Sequence, residues 1–305
     1  MSAVAILGVF VADTAYRAAR MPRMGETILG SGFALGPGGK GSNQAVAAAR
    51  LGADVTFISK IGQDPFGDMA MAVWAEAGVK TEVRRVADSY TGAACIFLEE
   101  GSGDNAIIVS PGAAGTISVA DIEAAGDTIR AAGVFLTQLE QPFPAARRAL
   151  EIAREAGATT ILNPAPAAEL DAEFFTLCDY LTPNEIEAEM LTGLAVGTVA
   201  EARLAAEKLM DKGVGRVILT LGERGALLHG KGISELVPAF DFAPVAETTG
   251  AGDAFNGAFA TALARGDTAL EAVRFGCAVA GISVTRPGTA QSMPSLEEVE
   301  QYTKN

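Results

Sequence analysis

The sequence predicts an α/β fold: a doubly wound, mostly parallel sheet with helices on both faces, and a few short strands set outside it. Three observations carry this expectation. From Asp121 onward, strand-like apolar runs alternate with helical stretches, the pattern of a parallel sheet joined by crossover helices. The run Val4 to Val9 has no polar alternation, as a strand buried on both faces requires. Polar residues recur at strand ends (Asp13, Glu140, Asn163, Asn184 and the Thr220-Leu221-Gly222 turn), where such sheets hold ligands.

Composition narrows the function classes. The 305 residues suit one large α/β domain or two smaller ones. With 49% hydrophobic and 20% charged residues there is material for a substantial core. A net charge of −14 argues against a nucleic-acid or anionic-membrane partner, since either needs a basic face. Cys95, Cys178 and Cys277 show no CxxC spacing, which points to a reducing cytoplasm rather than to disulfides or zinc. His229 is the only histidine and lies in a Gly-flanked strand end or hairpin, so a histidine-dependent triad has no support. The apolar N-terminus lacks a basic leader and a cleavage site, and no run approaches the ~18–20 residues that cross a bilayer.

Taken in order, Val4 to Val9 reads as a central strand. The stretch from Asp13 to Leu35 has broken patterning and no crossover helix, and reads as short strands outside the main sheet. Ser42 to Leu51 is helical by propensity and ends at Gly52. Val55 to Lys60 is a strand, and Phe66 to Ala77 a helix ending at Gly78. Thr91 to Glu99 and Ala106 to Ser110 form a hairpin about the turn at 101–105. Helices over 121–132, 145–156, near 171–178, 185–191 and 199–212 then alternate with strands at Val134 to Leu139, Thr160 to Asn163, Tyr180 to Thr182 and Val217 to Leu221. No repeat or long linker interrupts this order.

Chemistry concentrates in three stretches. In 247–258, ETTGAGDAFNGA, the turn Gly250-Ala251-Gly252 precedes Asp253 and an apolar helix from Ala254 to Leu263. A helix start bare of side chains suits an anion. Asp253 there is either an N-cap or a base acting on a group that attacks a phosphate. In 36–43, the formal GxGxxG lacks the strand context of a dinucleotide fingerprint, and Gly41 stands where a Walker loop needs Ser or Thr. Gly38, Gly39, Lys40 and Asn43 instead offer the mixture of donors and acceptors that a polyol needs, or simply a glycine turn with a solvated lysine. In 183–189, Asn184 and Glu187 share a face at a helix start, suited to a hydrated Mg²⁺ or to the helix dipole alone. The turn from Thr220 through Gly222 to Gly225 either cradles a nucleotide or turns the chain.

Together these stretches resemble the ribokinase family of sugar kinases over essentially the whole chain. The resemblance rests on residues 38–53 and 247–260, on Pro22-x-x-Gly25-Glu26-Thr27, Gln138-Leu139-Glu140, 163–167, 182–189 and Thr285-Arg286-x-Gly288. It implies an ATP-dependent kinase acting on the primary hydroxyl of ribose or a related pentose, with a small β-sheet lid, at about 12–35 and 88–110, that serves as a dimer clasp. By similarity Asp13, Gly39, Lys40, Asn43, Glu140 and Asp253 hold the sugar. Asn184, Thr220, Gly222, Gly225, Gly252 and Cys277 hold ATP, with Glu187 near Mg²⁺. Asp253 is the base, and the amides of Gly250, Ala251 and Gly252 form the anion hole. The resemblance also implies a K⁺ site at Glu247, Thr249, Ser283, Arg286, Gly288 and Ser292.

Two positions depart from the family pattern. Val11 stands where ribokinases carry an Asn two residues before the sugar-binding Asp, which points toward a deoxy-pentose or another pentose-like sugar. Glu247 stands where they carry an Asp as a cation ligand, so K⁺ activation is expected to be retained but weakened. The competing expectations are a kinase of deoxyribose, fructose, a sugar acid, another small polyol or a nucleoside, and a non-catalytic sugar-binding protein of the same fold.

Overall fold

The computed structural model describes residues 1–101 and 104–303. The chain begins with β1 (Val4–Leu7), in which Val4 and Ile6 face one apolar core and Ala5 and Leu7 the other. This double burial explains the unbroken apolar run. The next two strands, β2 (Val11–Ala18) and β3 (Gly32–Gly38), leave the main sheet as expected. They are followed by α1 (Lys40–Arg50), β4 (Val55–Gly62) and α2 (Pro65–Ala77). Asp64 caps α2 through Gly67 N–H, and Gly78 ends it in the left-handed conformation.

The strand β5 (Lys80–Val86) was not legible in the sequence. It reads KTEVRRV because it is the sheet edge, where charge replaces apolar alternation. The hairpin follows as β6 (Thr91–Glu99) and β7 (Asn105–Gly112); the turn expected at 101–105 lies partly outside the described residues. The helix expected over 121–132 is two helices, α3 (Val119–Ala124) and α4 (Gly126–Ala131). A Ser118–Asp121 capping box starts α3 early, so Asp121 sits in its first turn rather than at its boundary.

The alternating half follows with β8 (Val134–Thr137), α5 (Phe143–Glu155), β9 (Thr159–Leu162), α6 (Ala172–Thr176), β10 (Tyr180–Leu181), α7 (Glu185–Thr192), α8 (Val199–Asp211) and β11 (Arg216–Thr220). The hairpin β12 (Ala226–Gly230) and β13 (Ile233–Val237) closes the sheet antiparallel, with half-buried His229 meeting Ser234 Oγ at 3.0 Å. The chain ends with α9 (Ala251–Arg265), α10 (Ala269–Ser283) and α11 (Leu296–Thr303).

The main sheet has the order β13-β12-β11-β10-β9-β8-β1-β4-β5. One core packs α1, α2, α9 and α10 on one face; the other packs α4, α5, α7 and α8 on the opposite face. Strand order reverses at β1, which lies between β8 and β4. That switch point is where ligands bind in doubly wound sheets. The second sheet, β3-β2-β6-β7, stands apart, with β2 parallel to β6 and the outer pairs antiparallel. Among the described residues no helix is long and apolar enough to cross a membrane, and the three cysteines are unpaired.

Candidate active site

The site grows from the start of α1, at the switch point. Gly39 precedes the helix with φ 89°, and a Cβ there would meet Val9 O at 2.5 Å, so only glycine serves. Lys40 opens α1, two residues earlier than propensity alone suggested. Its backbone N–H donates to Glu140 Oε2 at 2.8 Å, which ties α1 to the loop after β8. Asp13 lies in β2 opposite Gly36, with its carboxylate folded over Gly38; a Cβ on Gly38 would come within 2.2 Å of Asp13 Oδ2.

Asp253 lies in the first turn of α9, 7% exposed. The cap position is held by Gly250, with φ 83° and no side-chain hydrogen bond, so Asp253 is not the N-cap. Its carboxylate instead turns inward. Oδ2 accepts from Asn43 Nδ2 at 2.9 Å, and Oδ1 accepts from Gln44 Nε2 at 3.0 Å. Of the three amides expected to form an anion hole, that of Ala251 donates to Thr248 O at 3.2 Å. Gly252 and Asp253 occupy the turn whose N–H groups have no intrahelical acceptor. A Cβ on Gly252 would meet nothing within 4 Å, so that backbone faces open space.

The electrostatics are those of several acids around one lysine. Burial raises the Asp253 carboxyl above the ordinary carboxylate range, against the pull of Lys40, Asn43 and Gln44. Burial also pushes Glu140 to about 7, with Lys40 opposing, and Asp13 to about 6. Burial works to lower Lys40, but Asp253, Glu140 and Glu187 outweigh it and raise the ammonium above its usual value.

A second group of residues lines a cavity of about 880 Å³ on the other side of the Gly250–Asp253 turn. Asn184, Thr220, Gly222, Gly225, Gly252 and Cys277, expected on one side of the site, all line it. Phe240, Val245, Phe255 and Val284 complete an apolar wall that sequence reasoning missed; Phe240 and Val245 lie in 238–250, which has no regular element to predict. Gly225 has φ 96° and packs so closely that a Cβ would sit 2.0 Å from Val237 O. The buried Cys277 thiol is pushed up to about 12 by burial, so it serves as wall rather than nucleophile. Asn184 and Glu187 form a reciprocal capping box: Glu187 Oε2 accepts Asn184 N–H at 2.9 Å, and Asn184 Oδ1 accepts Glu187 N–H at 2.9 Å. Glu187 is buried and raised to about 7 by that burial.

The third group comes from the segment before α9, the end of α10 and the loop after it. Glu247 Oε2 accepts Gly288 N–H at 2.9 Å, so the longer side chain reaches the loop. Arg286 Nε donates to Ser292 O at 3.0 Å, and Ser283 Oγ to Ala280 O at 2.8 Å. Thr249 is exposed beside the turn, and Thr289 Oγ1 donates to Pro37 O, which links this loop to β3.

Of the side chains behind Asp253, sequence reasoning marked Asn163 at a strand end and missed the others. Gln44 Nε2 donates to Asn163 Oδ1 at 3.2 Å as well as to Asp253, and Gln44 Oε1 accepts from Gln138 Nε2 at 2.5 Å. Asn163 Nδ2 donates to Thr182 O, Thr182 Oγ1 to Asn256 Oδ1, and Asn256 Nδ2 back to Gly252 O. The available signal was a glutamine at the head of the alanine-rich half of α1, four residues after Lys40 and hence on its face.

Comparison with known proteins finds relatives along nearly the whole chain. The pfkB family carbohydrate kinase model matches residues 1–296. The ribokinase of Haemophilus influenzae is 39% identical over 301 residues, covering 98% of each chain. The deoxyribokinase of Salmonella typhi is 38% identical over 301 residues, again covering 98% of each. Among solved structures, Arabidopsis thaliana ribokinase complexed with ribose and ATP superposes with a TM-score of 0.94 at 31% identity, covering 100% of this chain and 99% of that one.

Proposed function

The chain belongs to the pfkB family of carbohydrate kinases, and we propose that it is an ATP-dependent kinase of the primary (5-) hydroxyl of ribose or a closely related pentose. One observation carries the reading of the site. The Asp253 carboxylate stands in a turn with Lys40, Glu140 and Asn43 on one side and the 880 Å³ cavity on the other. An acceptor and a donor of a phosphoryl group are thereby brought to one base.

On the acceptor side, Asp13, Glu140 and Asp253 accept sugar hydroxyls, with Gly39, Lys40 and Asn43 beside them. Asn43 Oδ1 supports this: it is buried without a protein partner, a cost that a hydroxyl donor removes. On the donor side, Asn184, Thr220, Gly222, Gly225, Gly252 and Cys277 line the ATP cavity, with the adenine against its apolar wall. Asp253 takes the hydroxyl proton as the oxygen attacks the terminal phosphoryl group, because a sugar hydroxyl is too weak an acid to ionise beforehand. The helix start at 250–253 stabilises the charge on the transferring group through the amides of Gly252 and Asp253 and its dipole.

Mg²⁺ supplies neutralisation of the phosphate charge when bound. Asn184 and Glu187 fit it through water, since the Glu187 carboxylate already accepts Asn184 N–H and Asn184 Nδ2. For K⁺ the donor set fits less well. Glu247 holds Gly288 N–H and Ser292 O accepts from Arg286, so activation is weak. Equal rates in K⁺ and in a bulky organic cation would remove the K⁺ site.

The four-stranded sheet acts as the lid. By register, exposed Ile107 and Val109 share the Asp13 face, and exposed Tyr16, Phe33, Leu35 and Ile108 share the opposite face. The first pair closes over the sugar and excludes water. The second face joins a second copy into a homodimer, which light scattering of wild type and Ile108→Lys tests. Unpaired cysteines fit a cytoplasmic location.

Val11 favours a second reading, phosphorylation of 2-deoxyribose. It lies two residues before Asp13, on the same face of β2, and is 5% exposed in the apolar core. An unpaired hydroxyl against it would lose a hydrogen bond. ADP release with ATP and a panel of ribose, 2-deoxyribose, other pentoses and fructose tests both readings; no turnover of any pentose would refute them together.

A further inference from the structure

We propose that Gln44 is a positioning residue for Asp253, and that Gln138 sets the direction in which its amide points. The inference rests on the reading of Asp253 as the base. Gln44 is fully buried in α1 and touches Asp253 Oδ1, Asn163 Oδ1 and Gln138 Nε2.

The direction of this chain follows from donor and acceptor chemistry. An ionised carboxylate only accepts hydrogen bonds. Asn163 presents its oxygen to Gln44, because its own Nδ2 is committed to Thr182 O. Gln44 therefore faces two acceptors and must turn its NH₂ toward both. Its oxygen then points the other way, where it needs a donor, and Gln138 Nε2 supplies one at 2.5 Å. Gln138 is itself fully buried, and its side-chain oxygen lies so close to Gly8 and Gly41 that a Cβ on either would collide with it. The amide sequence Gln138 → Gln44 → Asp253 thus has one consistent polarity.

Its consequence is a division of labour between the two Asp253 oxygens. Gln44 fastens Oδ1 from the protein interior. Oδ2 meets Asn43, beside Lys40 and Glu140, on the side assigned to the sugar. Fixing Oδ1 leaves Oδ2 in one orientation for the proton it receives and keeps the carboxylate ionised in a buried position. The charged groups that face Asp253 are Lys40 from α1, Glu140 from the loop after β8, and Glu187 from α7. Among these only Lys40 favours the ionised form, so a neutral donor at Oδ1 has a distinct role.

The test is steady-state kinetics across pH for wild type, Gln44→Met, Gln138→Met and Asp253→Asn, using ATP and whichever pentose is turned over fastest. Gln44→Met is expected to lower kcat ~10–100-fold, the loss of one charge-assisted hydrogen bond expressed as rate. It should leave the sugar KM nearly unchanged and move the acid limb of the kcat profile to higher pH, since a donor to the carboxylate has gone. Gln138→Met should move the same limb in the same direction by less, and it decides the matter if Gln44→Met does not fold. Loss of turnover in Asp253→Asn with an unmoved acid limb in both glutamine variants would overturn the positioning role while leaving the base in place. Near-normal turnover in Asp253→Asn would overturn the base itself.

Discussion

Replacing Asp253 with Asn removes the proton acceptor at almost constant shape. Two donors now meet the carboxylate, Asn43 Nδ2 and Gln44 Nε2. An introduced amide can offer only one oxygen, so one of these contacts becomes donor against donor. Gln44 cannot reverse, because its oxygen is held by Gln138 and its NH₂ faces Asn163. Asn43 can, because its Oδ1 has no partner to lose. The introduced amide therefore keeps its oxygen toward Gln44 and donates to a reversed Asn43, and the fold survives. Removing a buried carboxylate that burial already disfavours raises the melting temperature of the ligand-free protein at pH 8. Turnover falls ~10²–10⁴-fold, the usual range for a general base, or about 3–5 kcal/mol of barrier. Coupled ADP-release kinetics measure kcat, and calorimetry measures ATP and sugar binding, which should persist. Turnover within a few-fold of wild type, in protein shown to be folded, would refute the assignment.

Three further outcomes follow from the geometry. Gly38→Ala places a methyl group 2.2 Å from Asp13 Oδ2, so Asp13 must leave its place; the sugar KM rises ~10-fold or more while the ATP KM holds, read from paired saturation curves. Val11→Asn supplies a polar partner on the Asp13 face, and the ratio of kcat/KM for ribose over 2-deoxyribose rises ~10-fold or more; an unchanged ratio would show that Val11 does not meet the sugar. The ligand-free protein melts at a higher temperature at pH 5 than at pH 8, as scanning calorimetry can measure. Burial raises Asp13 to about 6 and Glu140 to about 7, so the folded state holds these protons more tightly than the unfolded chain. That stability is fully present below the ordinary carboxylate pKa of about 4 and is lost as pH rises through 6 to 7.

The parts of the structure that were legible in the sequence are those with a strong local cause. The apolar runs of β1, β8 and β11 announce strands buried on both faces, and Gly78 announces the end of α2. Asn184, Thr220, Gly222, Gly225 and Cys277, which are distant in sequence, line one cavity because strand ends and a helix wall converge there. What stayed illegible depends on tertiary context. The charged strand β5 pairs only with β4, and its charged side chains find partners that are distant in sequence, Asp121 for Arg84 and Asp68 for Arg85. The wall from Phe240 to Val245 has no periodicity to read. Asp253 resembles an N-cap because its sequence neighbours do, and only the left-handed Gly250 moves the cap upstream. Gln44 is unremarked in sequence because its three partners come from β8's following loop, β9's end and α9.

These glycines and amides form one device rather than two. The distance from Asp253 to Asn43 and Gln44 is set by how closely α9 approaches α1. Gly257, one turn beyond Asp253, permits that approach: a Cβ there would lie 2.6 Å from Gln44 O and 2.7 Å from Ala47 Cβ. On its other side α1 meets the end of β1 through a matching pair, where a Cβ on Gly41 would lie 2.6 Å from Gly8 Cα. α1 is thus clasped between two glycine contacts, where backbone meets backbone too closely for an added methyl group. Close packing of this kind transmits small volume changes. One methyl group at Gly257 or Gly41 would shift the helix that carries Lys40, Asn43 and Gln44 relative to Asp253. A misplacement near 1 Å is enough to cost ~10²-fold in a positioned reaction. The glycines of the two signature stretches therefore belong to the site as fully as its carboxylate does.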